Sequence, residues 1–160
     1  MYKGIHIRTK QEVAVKVIKA DKFREIPKLE EFTVNEINTL SMMEPNPHIV
    51  RYLDMLKTVN NFYFVYEFCN GGTLEKVLQT YRNSPEKVMP LTKSLLYFRD
   101  VLDAFKTLTK NSIMHRDLKP DNILLHNGVI KLADFGFCKS LKSPTDLAQT
   151  MLGSPIYMAP

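Results

Sequence analysis

Apolar and polar residues alternate through Glu12-Val13-Ala14-Val15-Lys16-Val17-Ile18, a β-branched run that predicts a strand, with Tyr2 to Arg8 as its hairpin partner. Leu29, Phe32, Ile37, Leu40 and Met43 then recur at helical spacing. Pro27 suits the first turn of that helix, and Pro45 and Pro47 close it. Ile49 to Leu56 and Phe62 to Phe68 predict two more strands, turned at Asn60-Asn61. Asn70-Gly71-Gly72 breaks the pattern, and Thr73 is placed to cap a short helix running through Tyr81. After a polar loop from Asn83 to Pro90, Thr92 is the expected cap of a helix with the apolar stripe Leu95, Phe98, Leu102, Phe105 and Leu108. Ile123-Leu124-Leu125, Asn127-Gly128 and Val129-Ile130-Lys131-Leu132 form the strongest hairpin signal in the chain. Beyond Gly136 the chain reads as loop, and it contains no internal repeat. This order gives a small strand-rich half (1–66), a hinge (67–72) and a helical half with a short hairpin (73–160).

Composition narrows the class. The chain has 160 residues, 44% hydrophobic and 24% charged, which is ordinary for one globular domain and excludes a disordered polymer. No apolar run approaches the roughly 18 residues of a membrane span, and the first residues lack the apolar core of a signal peptide. Cys69 and Cys138 are the only cysteines, too few and too separated for a disulfide framework or a zinc site, so both are expected as thiols in a cytoplasmic chain. The net charge is +5, but the basic residues are scattered. That pattern fits a solvated surface with some pull on phosphates and no nucleic-acid interface.

Three constellations carry chemistry. His115-Arg116-Asp117-Leu118-Lys119-Pro120-Asp121-Asn122 follows an apolar helix and precedes a hairpin, so it is a polar loop held between rigid elements. Within it Asp117 can accept a hydroxyl proton, Asn122 can offer a neutral oxygen to a metal, and Lys119 can neutralise a phosphoryl group. Asp134-Phe135-Gly136 comes just after the hairpin, 17 residues beyond Asp117 (134 − 117). Asp134 is the hard oxygen ligand that Mg²⁺ prefers, and Gly136 is expected to allow the backbone turn. Val13-Ala14-Val15-Lys16 places an amine inside an apolar strand, where a buried charge needs a partner. Glu36 falls on the apolar face of the following helix, four residues from both Phe32 and Leu40, and is the expected partner; Glu30 and Glu31 fit the exposed side.

Lys16, Glu36, residues 115–122, Asp134 and Ala159-Pro160, in that order, resemble the eukaryotic protein kinases over essentially the whole chain. Lys119 is similar to the Ser/Thr-specific members. Cys69-Asn70-Gly71-Gly72, Asp134-Phe135-Gly136-Phe137 and Gly153-Ser154-Pro155-Ile156-Tyr157-Met158-Ala159-Pro160 resemble the autophagy-initiating ULK-like kinases.

The resemblance implies an α+β, bilobal fold and ATP-dependent phosphorylation of Ser/Thr in protein substrates with Mg²⁺. Its catalytic residues would be Asp117, Lys119, Lys16 and Glu36, with Asn122 and Asp134 on the metal. Tyr66 would be the gatekeeper, the backbone of Glu67 and Cys69 would bind adenine, and Ala14 and Leu124 would sandwich it. Leu40, Tyr52, His115 and Phe135 would stack as a regulatory spine. Thr150 would be phosphorylated by an upstream activating kinase and read by Arg116, and Ser154 would shape the acceptor site. Before Lys16 the chain holds only Gly4, so the family's first strand and glycine-rich loop are expected to be missing, as are the large helices that follow Pro160. The expectation is thus a partial catalytic domain, poorly active as 160 isolated residues. A non-catalytic module that binds nucleotide weakly or engages kinase partners is the alternative.

Overall fold

A computed structural model describes residues 1–141 and 154–157. Four strands form an antiparallel sheet in the order β1-β2-β4-β3, with β1 Tyr2–Ile5, β2 Glu12–Lys19, β3 Tyr52–Lys57 and β4 Asn61–Glu67. The one-turn helix α1 (Lys22–Glu25) and the longer α2 (Leu29–Met42) lie between β2 and β3. The second half carries α3 (Leu74–Arg82), α4 (Leu91–Lys110), β5 (Ile113–Met114), β6 (Ile123–His126), β7 (Val129–Leu132) and β8 (Lys139–Ser140). β6 pairs with β7 and β5 with β8, both antiparallel. The architecture is α+β.

Several boundaries differ from the sequence pattern, each for a local reason. The first strand stops at Ile5 because the chain turns back at once: His6 N–H donates to Gln11 O, and Thr9 closes on the His6 ring. Pro27 lies outside the first turn of α2; Lys28, with φ 63°, forms the bend that starts it. Ile49 and Val50 leave the first sheet. Val50 N–H donates to Leu132 O and Leu132 N–H to His48 O, so this stretch joins the end of β7 and ties the two halves together. Thr73 does cap α3, accepting from Lys76 N–H, but Thr92 does not cap α4, which begins at Leu91 after Pro90.

The stripe expected on α4 is only half right. Leu95, Phe98 and Leu102 are 56%, 60% and 46% exposed, and the buried face is Tyr97, Asp100, Ala104 and Leu108. The helix is apolar on two sides, and size alone points to the wrong one. Ala104 on the inward face is fully buried, and α4 packs along β7. On α2 the deepest positions include Thr33, Glu36 and Thr39, so a mixed face, and not the purely apolar one, packs inward. The core continues through Phe64, Leu108, Ile130, Leu132 and Phe135.

The link between the halves is fastened to the β6–β7 hairpin. Gly71 N–H donates to Leu125 O at 2.8 Å, and Leu125 N–H to Gly72 O at 2.9 Å. Asn127 and Gly128 take φ of 52° and 80°, the two left-handed residues of a tight hairpin turn. A Cβ on Gly71 would stand 2.7 Å from Leu125 Cβ and 3.0 Å from Leu125 O, neither of which is the free end of a side chain. Gly71→Ala is therefore expected to cost about 1–3 kcal/mol through forced overpacking. Denaturant unfolding checks this, and an unchanged midpoint contradicts the close approach.

Candidate active site

The site assembles where β2, α2, the loop after β5 and the loop after β7 converge. Lys16 points from β2 toward α2, and its Nζ lies 2.7 Å from Glu36 Oε2. Glu36 is buried and accepts a second bond on Oε1, from the Tyr66 hydroxyl at 3.0 Å. Burial and the Glu36 charge push the Tyr66 hydroxyl well above its ordinary pKa, so it stays protonated and donates. The carboxylate thus meets one cation and one neutral donor, the pairing a buried charge requires.

The loop holding Asp117 is a dense polar network. Asn122 Nδ2 donates to both Asp117 O (2.9 Å) and Asp117 Oδ2 (2.8 Å). Lys119 Nζ lies 2.8 Å from Asp117 Oδ2 and 2.9 Å from Ser154 Oγ, and Ser154 Oγ donates to Asp117 Oδ1 at 2.8 Å. Burial favours the neutral acid, but the donors from Lys119, Ser154 and Asn122 outweigh it and hold the Asp117 carboxyl below its usual range. Lys119 moves the opposite way, held cationic by its bond to Asp117.

His115 and Phe135 support this loop from below. Their rings meet edge to face at 5.0 Å, and both are buried. His115 Nε2 bonds Ala133 O at 3.1 Å, while Nδ1 accepts from Asp117 N–H at 3.3 Å, which fixes the neutral tautomer protonated on Nε2. Burial lowers the His115 pKa in keeping with that form. Leu40 is buried in the same core, and Tyr52 packs partly buried against it with its ring 5.8 Å from Tyr66.

Asp134, not Gly136, makes the turn after β7: its φ is 63°, whereas Gly136 stays outside the left-handed region. Strain at a residue with a side chain to hold in place is common at functional sites. Asn122 commits both amide hydrogens to Asp117, which turns its oxygen into the group available to a cation. Among the described residues no three His, Cys, Asp or Glu side chains cluster as a metal cage. Two oxygen donors suit Mg²⁺, which keeps waters and shares phosphate oxygens; they would not suit zinc.

The residues expected to meet adenine lie on β2, at the end of β4 and on β6. Ala14 faces Tyr66 across the sheet, Leu124 bridges to Thr73, and Glu67 N–H donates to Arg51 O. Burial pushes the Cys69 thiol up to about 11 and the Cys138 thiol up to about 12, so neither is a poised nucleophile. Arg116 donates from Nε to Phe137 O at 2.6 Å. Thr150, Gly153, Ala159 and Pro160 lie outside the described residues.

Three contacts went unread in the sequence. Lys131 Nζ meets Glu67 Oε1 at 2.8 Å, both largely buried. Lys131 stands between Ile130 and Leu132, the same misfit that singles out Lys16, so the signal was present. The Tyr66–Glu36 bond had no such signal, since a strand tyrosine reads as core. Asn35, beside Glu36 on α2, reaches the backbone after Asp134.

Comparison with known proteins agrees with this geometry. The protein kinase domain profile matches residues 1–160. The chain is 37% identical over 153 residues to serine/threonine-protein kinase ATG1c of Arabidopsis thaliana, covering 93% of this chain and 20% of that protein. It is 35% identical over 170 residues to serine/threonine-protein kinase atg1 of Dictyostelium discoideum, covering all of this chain and 24% of that protein. Serine/threonine-protein kinase PAK 1 of Mus musculus is 37% identical over 162 residues, again across the whole chain and 28% of the relative. The chain therefore spans between a fifth and somewhat over a quarter of the length of these relatives. With the profile matched from end to end and plant, slime-mould and mouse kinases alike at this level, the chain belongs to the protein kinase domain family.

Proposed function

We propose that this domain transfers the γ-phosphoryl group of ATP to Ser or Thr hydroxyls of protein substrates. The observation that carries the reading is the state of Asp117: a buried carboxylate held ionised by three donors, with a serine hydroxyl already donating to Oδ1 at 2.8 Å. An acceptor hydroxyl approaching the same carboxylate would be oriented for in-line attack and would find a base for its proton. The new bond joins that oxygen to the γ-phosphorus as the bridging oxygen leaves with ADP. Lys16, fixed by Glu36, would hold the α- and β-phosphates, and the backbone of Glu67 and Cys69 would hold the adenine between Ala14 and Leu124. Asp134 Oδ and Asn122 Oδ1 would ligate Mg²⁺, which supplies charge neutralisation on the phosphates when bound. Lys119 would offset the charge on the moving group. Arg116 is the expected reader of a phosphorylated Thr150. The resemblance to ULK-like kinases and the identity to the ATG1 proteins support a role in autophagy-type signalling.

The machinery is testable in the full-length protein. Asp134→Asn is expected to lower turnover at least about a hundredfold with an unchanged thermal midpoint, because it removes a ligand charge and keeps the shape. A folded variant with wild-type turnover overturns the assignment. Asp117→Asn should leave ATP affinity within about twofold while kcat falls by a similar factor of at least a hundred; equal kcat refutes its role.

A pH profile gives an independent check. The Asp117 carboxyl in the folded protein lies below its ordinary value of 3.8, so its charged form predominates above that pH and is lost only as pH falls further. The kcat/KM profile should thus show no acid limb from this group above about pH 5. A limb near pH 6 that vanishes in Asp117→Asn at its residual rate would show that the donors do not control the base.

A further inference from the structure

Between β4 and α3 the chain is fastened to the β6–β7 hairpin by one side chain as well as by its backbone. Asn127 N–H donates to Asn70 Oδ1 at 2.9 Å, and Asn70 Nδ2 donates to Asn127 Oδ1 at 2.7 Å. A main-chain N–H can only donate, so the Asn70 atom that meets it is the oxygen. That fixes the Asn70 amide. Its nitrogen then fixes Asn127, whose own nitrogen is left facing His126 Nε2 at 3.3 Å. Both orientations follow from one backbone group. Other side chains fit this place less well. Aspartate has no hydrogen to donate, serine offers one atom where two are needed, and glutamine is a methylene longer.

The pair is the last rung of a short ladder. Thr73 bridges to Leu124, Leu125 N–H donates to Gly72 O, Gly71 N–H donates to Leu125 O, and Asn70 meets Asn127 beyond them. With the side-chain rung the link is held as far as Asn70, the residue next to Cys69. Without it the last fixed point is Gly71. The other end of the ladder is Leu124. We propose that Asn70 is a positioning residue for adenine: by gripping Asn127 it sets the spacing between the main chain of Cys69 and the side chain of Leu124. The base needs the first for its hydrogen bonds and the second for its face, so the inference rests on the phosphotransfer reading above for where the base sits. The Asn70 amide is committed to Asn127, so it acts through Cys69 and Leu124.

Asn70→Ala tests it in the full-length protein. Asn70 is exposed and has no left-handed φ, so alanine removes the grip without straining the backbone. The Kd of ATP, read by displacement of a fluorescent ATP analogue, is expected to rise about fivefold, because the link must then be ordered as the base binds. Adenosine, which has no phosphates, should lose affinity by the same factor. KM for ATP follows, while kcat changes by no more than about twofold and KM for the protein substrate stays put. Hydrogen exchange reads the grip without a nucleotide. Asn127 N–H should exchange at least about tenfold faster, while the amides that pair β2 with β4 keep their wild-type rates. Asn127→Gly keeps the left-handed turn and the main-chain rung but loses the side-chain one. It should weaken adenosine binding by a smaller factor, and the double variant should be no weaker than Asn70→Ala alone. The glycine variant decides the matter if the alanine variant does not fold. Unchanged Asn127 exchange overturns the grip, as do losses that add in the double variant. Faster exchange there with unaltered adenosine affinity overturns the positioning role, and so does a fall in kcat alone. Acceleration spread equally over the β2–β4 sheet marks a merely structural residue and overturns it too. A wild-type protein that binds adenosine but transfers no phosphate sinks the reading of the reaction and leaves adenosine affinity to judge Asn70; one that binds no adenosine overturns both.

Discussion

A buried carboxylate on helix α2 is the constraint around which the upper half is organised. Glu36 is 6% exposed, and an ionised group there is tolerable only if donors meet both of its oxygens. Lys16 meets one and Tyr66 the other. Those two residues come from adjacent strands, β2 and β4, so satisfying one charge fixes the helix against the sheet at a defined depth and rotation. A purely apolar interface would let the helix slide and turn by small amounts at little cost. The ion pair forbids this, because displacement strands a charge away from water.

The lower half solves a different problem, keeping the Asp117 carboxylate charged inside protein. Desolvation pushes Asp117 toward its neutral form, and three donors from its own loop and from Ser154 pull it back. The scaffold for those donors is apolar and rigid: His115 is wedged against Phe135, and Ala133 N–H is tied to Asn122 O. His115 does two structural jobs through its two nitrogens, and only the neutral ring can do both. The candidate site sits on a loop, and these bonds hold that loop at several points.

Much of this was legible from residue types at set spacings. The hairpin at Asn127-Gly128 follows from turn chemistry alone, and the expectation that Lys16 should meet Glu36 follows from a charge on each of two apolar faces. What escaped has physical reasons. On α4 three of the five large apolar residues expected inward, Leu95, Phe98 and Leu102, lie on the exposed side, while the buried face includes the small Ala104, which a periodicity argument weighted by size discounts. Ile49 and Val50 look like strand, and they are paired, but with β7 and not with the sheet their neighbours enter; single-chain periodicity carries no information on partner. Asp134 takes the left-handed conformation beside a glycine that does not need it, so the local rule that assigns such turns to glycine points two residues too far.

The two halves are joined by directional polar bonds as well as by apolar packing. Residues 48–50 share backbone bonds with Leu132, and Lys131 is paired with Glu67, which also accepts from Arg51 N–H. Glu67 therefore has two tasks. Its side chain ties the end of β4 to the lower hairpin, while its main-chain N–H donates to Arg51 O. Directional bonds suit this place better than apolar packing of equal strength. They resist shear between the halves, yet each can lengthen slightly without exposing a large apolar area. The Glu67 carboxylate gives Lys131 the partner a buried charge requires, in a strand whose neighbours, Ile130 and Leu132, are wholly buried.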